Sequence, residues 1–263
     1  MQSKVLYNQD GHQWIVIGRD PEKDSHVIDT NEYVIINRGH AMLLDPGGIQ
    51  IFPQVLAELA KYVRMQDIKV IFASHQDPDI CSSLAMWLDL NPAIKTYCSW
   101  LWTGFVSHFS TGAVITLNPI PDQGMRIRIG DEGPEVEAVP AHYCHSSGNF
   151  SLYDPTAGIL FSGDIGGALV PDHHASLVVT DFEQHIQYMR GFHLRWMPST
   201  VALRGWTQRV RAIKPRMICP QHGSIFEGEM VGKLLDWLDS LEVGQWKDSA
   251  AKTDTRAAAW LPI

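Results

Sequence analysis

Three of the five side chains in His75-Gln76-Asp77-Pro78-Asp79 can bind a metal ion, and all three stand at odd positions. Imidazole and carboxylate together suit Fe, Mn or Zn. The lack of a cysteine in the set disfavours soft-metal and iron–sulfur chemistry. Three further candidates stand in loops of small residues. His145 lies in His142-Tyr143-Cys144-His145-Ser146-Ser147-Gly148-Asn149, Asp164 in Phe161-Ser162-Gly163-Asp164, and His222 in Cys219-Pro220-Gln221-His222-Gly223. Any one of them alone reads as readily as a turn residue or a helix cap. The four loops in this order point to a metal centre.

Such a centre needs rigid elements to hold its loops. Runs rich in Val, Ile, Tyr and Leu predict strands over Lys4 to Asn8, Gln13 to Ile17, Glu32 to Ile36 and Ala41 to Leu44. Asp10-Gly11, Arg38-Gly39 and Pro46-Gly47-Gly48 punctuate them. A helix is predicted over Pro53 to Val63, with Val55, Leu56, Leu59 and Tyr62 on one face. A short strand, Lys69 to Ala73, then runs into the first loop, and a helix follows from Ile80 to Leu90. Strands are predicted between Val114 and Phe161: Met125 to Ile129, Val136 to Val139, Phe150 to Tyr153 and Ile159 to Phe161. Helices return over Phe182 to Gly191 and Thr200 to Ile213. A strand over Arg216 to Cys219 leads to His222, and a last amphipathic helix spans about Met230 to Leu241. Strands with one helix, then strands with helices, predict an α/β fold of two sheets packed face to face with helices outside. The 263 residues read as one domain, with residues 245–263 as a loosely ordered tail or a cap on the core.

Composition narrows the partners. Apolar residues make up 45% and charged residues 19%, and the net charge is −8. An acidic chain is a poor match for nucleic acid or an anionic membrane, both of which reward clustered Lys and Arg. No run of about 20 apolar residues is present to span a bilayer. The start, MQSKVLYNQDGHQW, lacks the apolar stretch of a signal peptide, so a cytoplasmic location is expected. Cys81, Cys98, Cys144 and Cys219 form no C-x-x-C pair and are expected to be reduced thiols.

The ordered loops resemble the metallo-β-lactamase superfamily, whose members carry a H-x-[HE]-x-D-H loop, a histidine before S/T-x-G, an aspartate in a G-D turn and a histidine before glycine. Here these are His75, Asp77 and Asp79; His145 in His-Ser-Ser-Gly; Asp164 in Ser-Gly-Asp; and His222 in His-Gly. Leu44-Asp45-Pro46-Gly47 resembles an early strand end of that fold. The likeness runs from about residue 30 to residue 230 and implies an αββα sandwich of two mixed sheets with outer helices. An acid at position 77, where most hydrolases of the superfamily have histidine, resembles the flavodiiron branch, which holds two irons and reduces oxygen or nitric oxide. So do Gly166 after Asp164 and the stretch from Met197-Pro198 to Ser224-Ile225-Phe226. No flavodoxin domain follows here, and the chain is similar to the stand-alone form described as an oxygen-binding di-iron protein tied to oxygen sensing.

Carried over, the resemblance gives one ion His75, Asp77 and His145, gives the other Asp79 and His222, and lets Asp164 bridge both. Asp77 replaces the usual glutamate. Ile80 stands where the first loop usually ends in histidine, leaving the second ion one imidazole short. His142 is a spare for that place, and Tyr143 is a candidate to hydrogen-bond a metal-bound oxygen or to pack in the core. The resemblance implies two non-haem Fe, with Zn or Mn as other occupants. It implies dioxygen, peroxide or nitric oxide as ligand, and either a sensor role or reduction with electrons from an external flavodoxin- or rubredoxin-type donor. A homodimer is one form it suggests. The rival reading is a di-metal zinc hydrolase, in which a bridging hydroxide attacks a polarised substrate. His173-His174 is a surface pair or a loop reaching the site. His40 is expected to be structural, and His12, His26, His108, His185 and His193 have no motif support. The tryptophans, Trp100, Trp102, Trp196 and Trp206 among them, are expected as core or dimer contacts.

Overall fold

The structure, a computed structural model, describes residues 1–18, 28–109, 117–130, 133–171 and 175–245. The chain order is β1 (Gln2–Gln9), β2 (His12–Gly18), β3 (Asn31–Asn37), β4 (His40–Leu44), α1 (Phe52–Leu59), β5 (Ile68–Phe72), α2 (Pro78–Cys81), α3 (Leu84–Leu90), β6 (Lys95–Ser99), α4 (Thr103–Val106) and β7 (Leu117–Ile120). There follow β8 (Met125–Arg128), β9 (Glu135–Pro140), β10 (Phe150–Asp154), β11 (Ile159–Gly163), α5 (Phe182–Trp196), α6 (Thr200–Ile213), β12 (Met217–Pro220), β13 (Phe226–Glu227) and α7 (Glu229–Ser240). One sheet has the order β1-β2-β3-β4-β5-β6-β7 and the other β13-β12-β11-β10-β9-β8. Both are mixed. The first is antiparallel as far as β4 and parallel beyond it, while the second contains one parallel pair, β11 with β12.

Side-chain alternation explains the layering. In β2 to β5, Trp14, Val16, Tyr33, Ile35, Met42, Leu44, Val70 and Phe72 turn toward the second sheet. They meet Phe150, Leu152, Ile159, Phe161, Met217 and Cys219 there. The alternate residues Ile15, Ile17, Val34, Ile36, Ala41, Leu43, Ile71 and Ala73 pack on Phe52, Val55 and Leu59 of α1 and on Leu84, Trp87 and Leu88 of α3. A strand covered on both faces needs apolar residues at every position, which is why these runs are nearly unbroken. On the other side Leu160 and Ile218 meet Met189, Phe192, Leu203, Trp206, Leu234 and Leu238 from α5, α6 and α7. Each such buried side chain contributes about 1.5–3 kcal/mol relative to exposure. The result is the four-layer αββα sandwich.

Several expectations need correction. The helix expected over Ile80 to Leu90 is two helices, because Ser83 donates its hydroxyl to the Gly47 carbonyl at 2.6 Å and ties the break to the loop after β4. The first helix ends at Leu59 rather than Val63, and α5 continues through Gly191 to Trp196. Strand β6 was not expected, since Lys95-Thr96-Tyr97-Cys98-Ser99 lacks an apolar run. Among the described residues no helix is long and apolar enough to cross a membrane. His26, His173, His174 and the residues after 245 lie outside the described residues.

Candidate metal centre

The candidate ligands follow strand ends on one rim of the sandwich, as β5 runs into His75, β11 into Asp164 and β12 into His222, with His145 in the loop joining β9 to β10. Crevices outside the carboxyl ends of strands are where α/β sheets hold ligands, since loops there are free to vary over a rigid base.

His75 is 1% exposed and is aimed by a relay from β4. Asp45, in the left-handed region at φ 46°, accepts from the Ser74 amide at 2.7 Å and from the Ser74 hydroxyl at 2.6 Å. Ser74 Oγ lies 2.9 Å from His75 Nδ1, so Nε2 is the free nitrogen and faces the centre. Asp77 is the N-cap residue of α2, yet its side chain does not cap. Its Oδ2 lies 2.9 Å from His145 Nε2 and 3.5 Å from His75 Nε2, and its Oδ1 accepts from Gln76 at 2.9 Å. His145 sits at φ 74°, with Nδ1 3.3 Å from Asp164 Oδ2. Histidine, like Asn and Asp, tolerates this region better than branched residues, and such strain gathers at functional sites.

Asp164 stands in the middle. Its Oδ2 faces His75 Nε2 at 3.9 Å and His145, and its Oδ1 faces His222 Nε2 at 3.5 Å. His222 Nδ1 is taken by the Asp29 carbonyl at 2.9 Å, which turns Nε2 toward Asp164 and toward Asp79 Oδ2 at 3.5 Å. The start of β3 clamps this loop. The Asn31 amide donates to Gln221 O at 2.6 Å, Asn31 Nδ2 to Gly223 O at 2.8 Å, and the Tyr33 hydroxyl to Pro220 O at 2.9 Å. Gly223, at φ 83°, is required, because a Cβ would lie 2.8 Å from the Ala168 carbonyl oxygen.

The six side chains therefore converge as two unequal groups joined by Asp164. One ligand atom from each of His75, His145 and Asp164 lies within 4.8 Å of the others. His75 Nε2, His145 Nδ1 and Asp164 Oδ1 are buried and make no hydrogen bond. Buried polar atoms are almost always paired, so three unpaired ones on side chains that converge fit a cation. The electrostatics agree. Burial opposes charge on His75 and His222, but the carboxylates around them, Asp164 foremost, hold them up at about 9 and about 10. Burial likewise works against the charged form of Asp164 and Asp77, yet the imidazoles beside them bring both well below the usual carboxylate range. Asp79 is raised by burial. Three acids this close demand positive charge, which imidazolium or a metal ion can supply.

The other candidates fall elsewhere. His142 does not join the six: its Nε2 lies 2.8 Å from the Asp122 carbonyl and its ring packs edge-on to Phe150 at 4.9 Å. Tyr143, at φ 59°, is 58% exposed, so it is not a core residue, and among the described residues its hydroxyl makes no hydrogen bond to the six. Ile80 is fully buried in the apolar layer against α1 and α3. Cys81 is buried and donates to the His75 carbonyl at 3.3 Å, while Cys144 is a buried thiol whose carbonyl accepts from Asn149 at 2.6 Å.

Two contributors carried no sequence signal. His193 is fully buried in α5; its Nδ1 donates to Met189 O at 2.9 Å and its Nε2 accepts from the Gly166 amide at 3.0 Å, pinning the turn that carries Asp164. Burial brings it down to about 4, in keeping with the neutral ring those bonds require. Glu32, at the start of β3, is 2% exposed, and burial pushes its carboxyl up to about 8 beside His222. Both sit in regular elements, and only the folded chain brings them to the loops.

Comparison with curated proteins gives no match. Among solved structures, the peroxy diiron species of the chemotaxis sensor ODP is 38% identical, covering 93% of this chain and 97% of that one with a TM-score of 0.82. The apo state of the chemotaxis sensor ODP from T. denticola is 39% identical, with coverage of 92% and 96% and a TM-score of 0.82. Rubredoxin oxygen:oxidoreductase from the anaerobe Desulfovibrio gigas, at 16% identity, matches 90% of this chain and 61% of its own with a TM-score of 0.76, a likeness of fold. The family described as ODP family beta lactamase matches residues 28–223, and on that match and those two ODP relatives the chain belongs to this family of metallo-β-lactamase-fold proteins.

Proposed function

We propose that this chain is a non-haem di-iron protein that binds dioxygen, serving as an oxygen sensor or, with an external electron donor, as a reductase of oxygen, peroxide or nitric oxide. The observation that carries the reading is the carboxylate of Asp164 set between two imidazole groups, with unpaired buried ligand atoms around it. In this reading His75, Asp77 and His145 would hold one ion, Asp79 and His222 would hold the other, and Asp164 would serve both. Iron in such a site would supply one electron from each ion to a bound oxygen molecule; carboxylate-rich donor sets of this kind are used by di-iron proteins. The 38% identical relative is described as a peroxy diiron species, which supports this metal and this ligand.

The chain's own residues prepare the site. The Asp45–Ser74 relay fixes the His75 tautomer, so that Nε2 offers a lone pair, and the Asp29 carbonyl does the same for His222. Gln76 bridges Asp77 and Ser146, holding the carboxylate toward His145 rather than toward solvent. Phe192 is 6% exposed and lies with its ring parallel to His145 at 6.1 Å, shielding the imidazoles on that side from bulk water.

The test is anaerobic reconstitution with ferrous iron, metal analysis, then exposure to air. Uptake of two irons and a new near-ultraviolet or visible band on adding oxygen are expected. Two bound irons with no oxygen-dependent band would sink the proposal, and zinc uptake with esterase or phosphodiesterase turnover would move the chain to the hydrolases.

A further inference from the structure

Two aromatic rings connect the proposed centre to one point on the surface. Phe192 of α5 is stacked on His145 with 6.1 Å between centroids and a 1° interplanar angle, and lies 5.8 Å from His222. It therefore touches an imidazole of each metal group. One helical turn on, Trp196 is stacked on Phe192 at 5.1 Å and 23° and is 46% exposed. Near it in the chain, Leu194 is 41% exposed and Val201, at the start of α6, is 82% exposed. Arg195, next to Trp196 in the chain, is exposed on α5 and among the described residues makes no ion pair. A tryptophan flanked by apolar side chains and arginine is the composition of an interface anchor.

We propose that the end of α5 is an electron-entry site: a small acidic one-electron carrier protein docks over Trp196 and Arg195, and its electron reaches the metal centre through Trp196 and Phe192. The inference rests on the di-iron reading above. On a chain of net charge −8, an acidic carrier is repelled by most of the surface. An arginine without an ion pair next to an exposed tryptophan marks the point where approach is favoured. Tunnelling falls off steeply with each gap in the path, and stacked rings keep the gaps short. Electrons balance in single steps. The reduced carrier, a flavin or iron protein, is oxidised by one electron and one ferric ion is reduced to ferrous; neither ring changes its formal oxidation state. A second carrier restores the other ion.

Reduced flavodoxin serves as the acidic probe, with the full chain loaded with iron and oxidised in air. Trp196→Leu is expected to slow re-reduction by roughly an order of magnitude in stopped flow, with Trp196→Phe close to the parent because it keeps an aromatic stack. A readout independent of iron is the binding of oxidised flavodoxin to the metal-free chain by calorimetry. Arg195→Glu is expected to weaken it by about tenfold and to change its salt dependence. Equal re-reduction rates in the parent and Trp196→Leu, with the oxygen-dependent band intact, overturn the entry path and leave the di-iron reading standing. No iron-dependent band in the parent overturns both. A change in native mass with Arg195→Glu assigns the end of α5 to a second copy of the chain and overturns the proposal.

Discussion

The two halves of the centre are built to different standards. On the His75 side, three side chains other than Asp164 converge, and a buried relay from Asp45 through Ser74 aims the imidazole with contacts of 2.6 and 2.9 Å. On the His222 side only Asp79 and His222 converge, and Asp79 is held by two long contacts, 3.4 Å from Gln221 Nε2 and 3.5 Å from His222 Nε2. Ile80 follows Asp79, but it is buried in the apolar layer and offers no donor atom. In the proposed di-iron reading, a well-furnished ion beside a sparsely held one would suit binding of a small molecule at the second ion, because the protein would supply fewer ligands there.

The largest expected effect is on the residue the halves share. Asp164→Ala removes the bridging carboxylate and leaves His75 and His222 without their principal counter-charge. Iron uptake is expected to fall from two ions to none or a trace, read by metal analysis after desalting. Retention of two ions would show that the halves do not depend on a bridge. Next in size is Asp79→Ala, which strikes the sparse half alone: one iron is expected to remain and the oxygen-dependent band to vanish. Loss of both ions would mean the halves load cooperatively, and the inequality would then be one of geometry rather than affinity.

How far this comparison could be read without coordinates depends on where each group's partner lies in the chain. The candidate ligands were legible as a group because they occur in short loops after apolar runs, and His75, Asp77 and Asp79 fall within five residues. Strands β2 to β5 were legible because both faces are covered. His193 was not: its partner amide is that of Gly166, 27 positions away, and a histidine in the middle of a helix gives no local sign of it. Glu32 reads as a polar residue opening a strand, and its burial beside His222 depends on a loop nearly 200 residues later. Trp196 and Trp206 look alike in sequence. Trp206 is fully buried and donates to Ser151 Oγ at 3.0 Å, whereas Trp196 is half exposed, because one lies on the inner face of its helix and the other at a helix end.

A subtler way to sharpen the contrast is to loosen the better half. Ser74→Ala breaks the relay while leaving every ligand in place. Loss of such supporting contacts typically costs about 10- to 100-fold in metal affinity. The first equivalent of iron is expected to weaken by that amount in a chelator competition, bringing its affinity nearer to that of the second. An unchanged first affinity would show that packing alone fixes His75.

The smallest expected effect on iron comes from a buried hydrogen-bonded cluster away from the candidate ligands. His12 Nε2 and the Trp14 indole each lie 2.6 Å from Asp154 Oδ2, and Oδ1 accepts from the Thr156 amide at 2.9 Å. Burial works against the Asp154 carboxylate, but the bonds from His12 and Trp14 outweigh it and lower its pKa below the ordinary value. A lowered carboxyl binds fewer protons in the folded chain than in the unfolded one. Its stabilisation is therefore complete above the unfolded pKa of about 4 and is lost as pH falls toward the folded value. Asp154→Asn should flatten that acid limb in urea titrations between about pH 5 and 2 and lower stability near neutrality by about 1.5–3 kcal/mol, the usual size for hydrogen bonds to a charged group. Both iron equivalents should bind as in the parent, since neither half touches this cluster. If instead the second iron alone were lost, its weak hold would stem from the marginal stability of the whole sandwich, and the absent donor at Ile80 would no longer explain the difference between the halves.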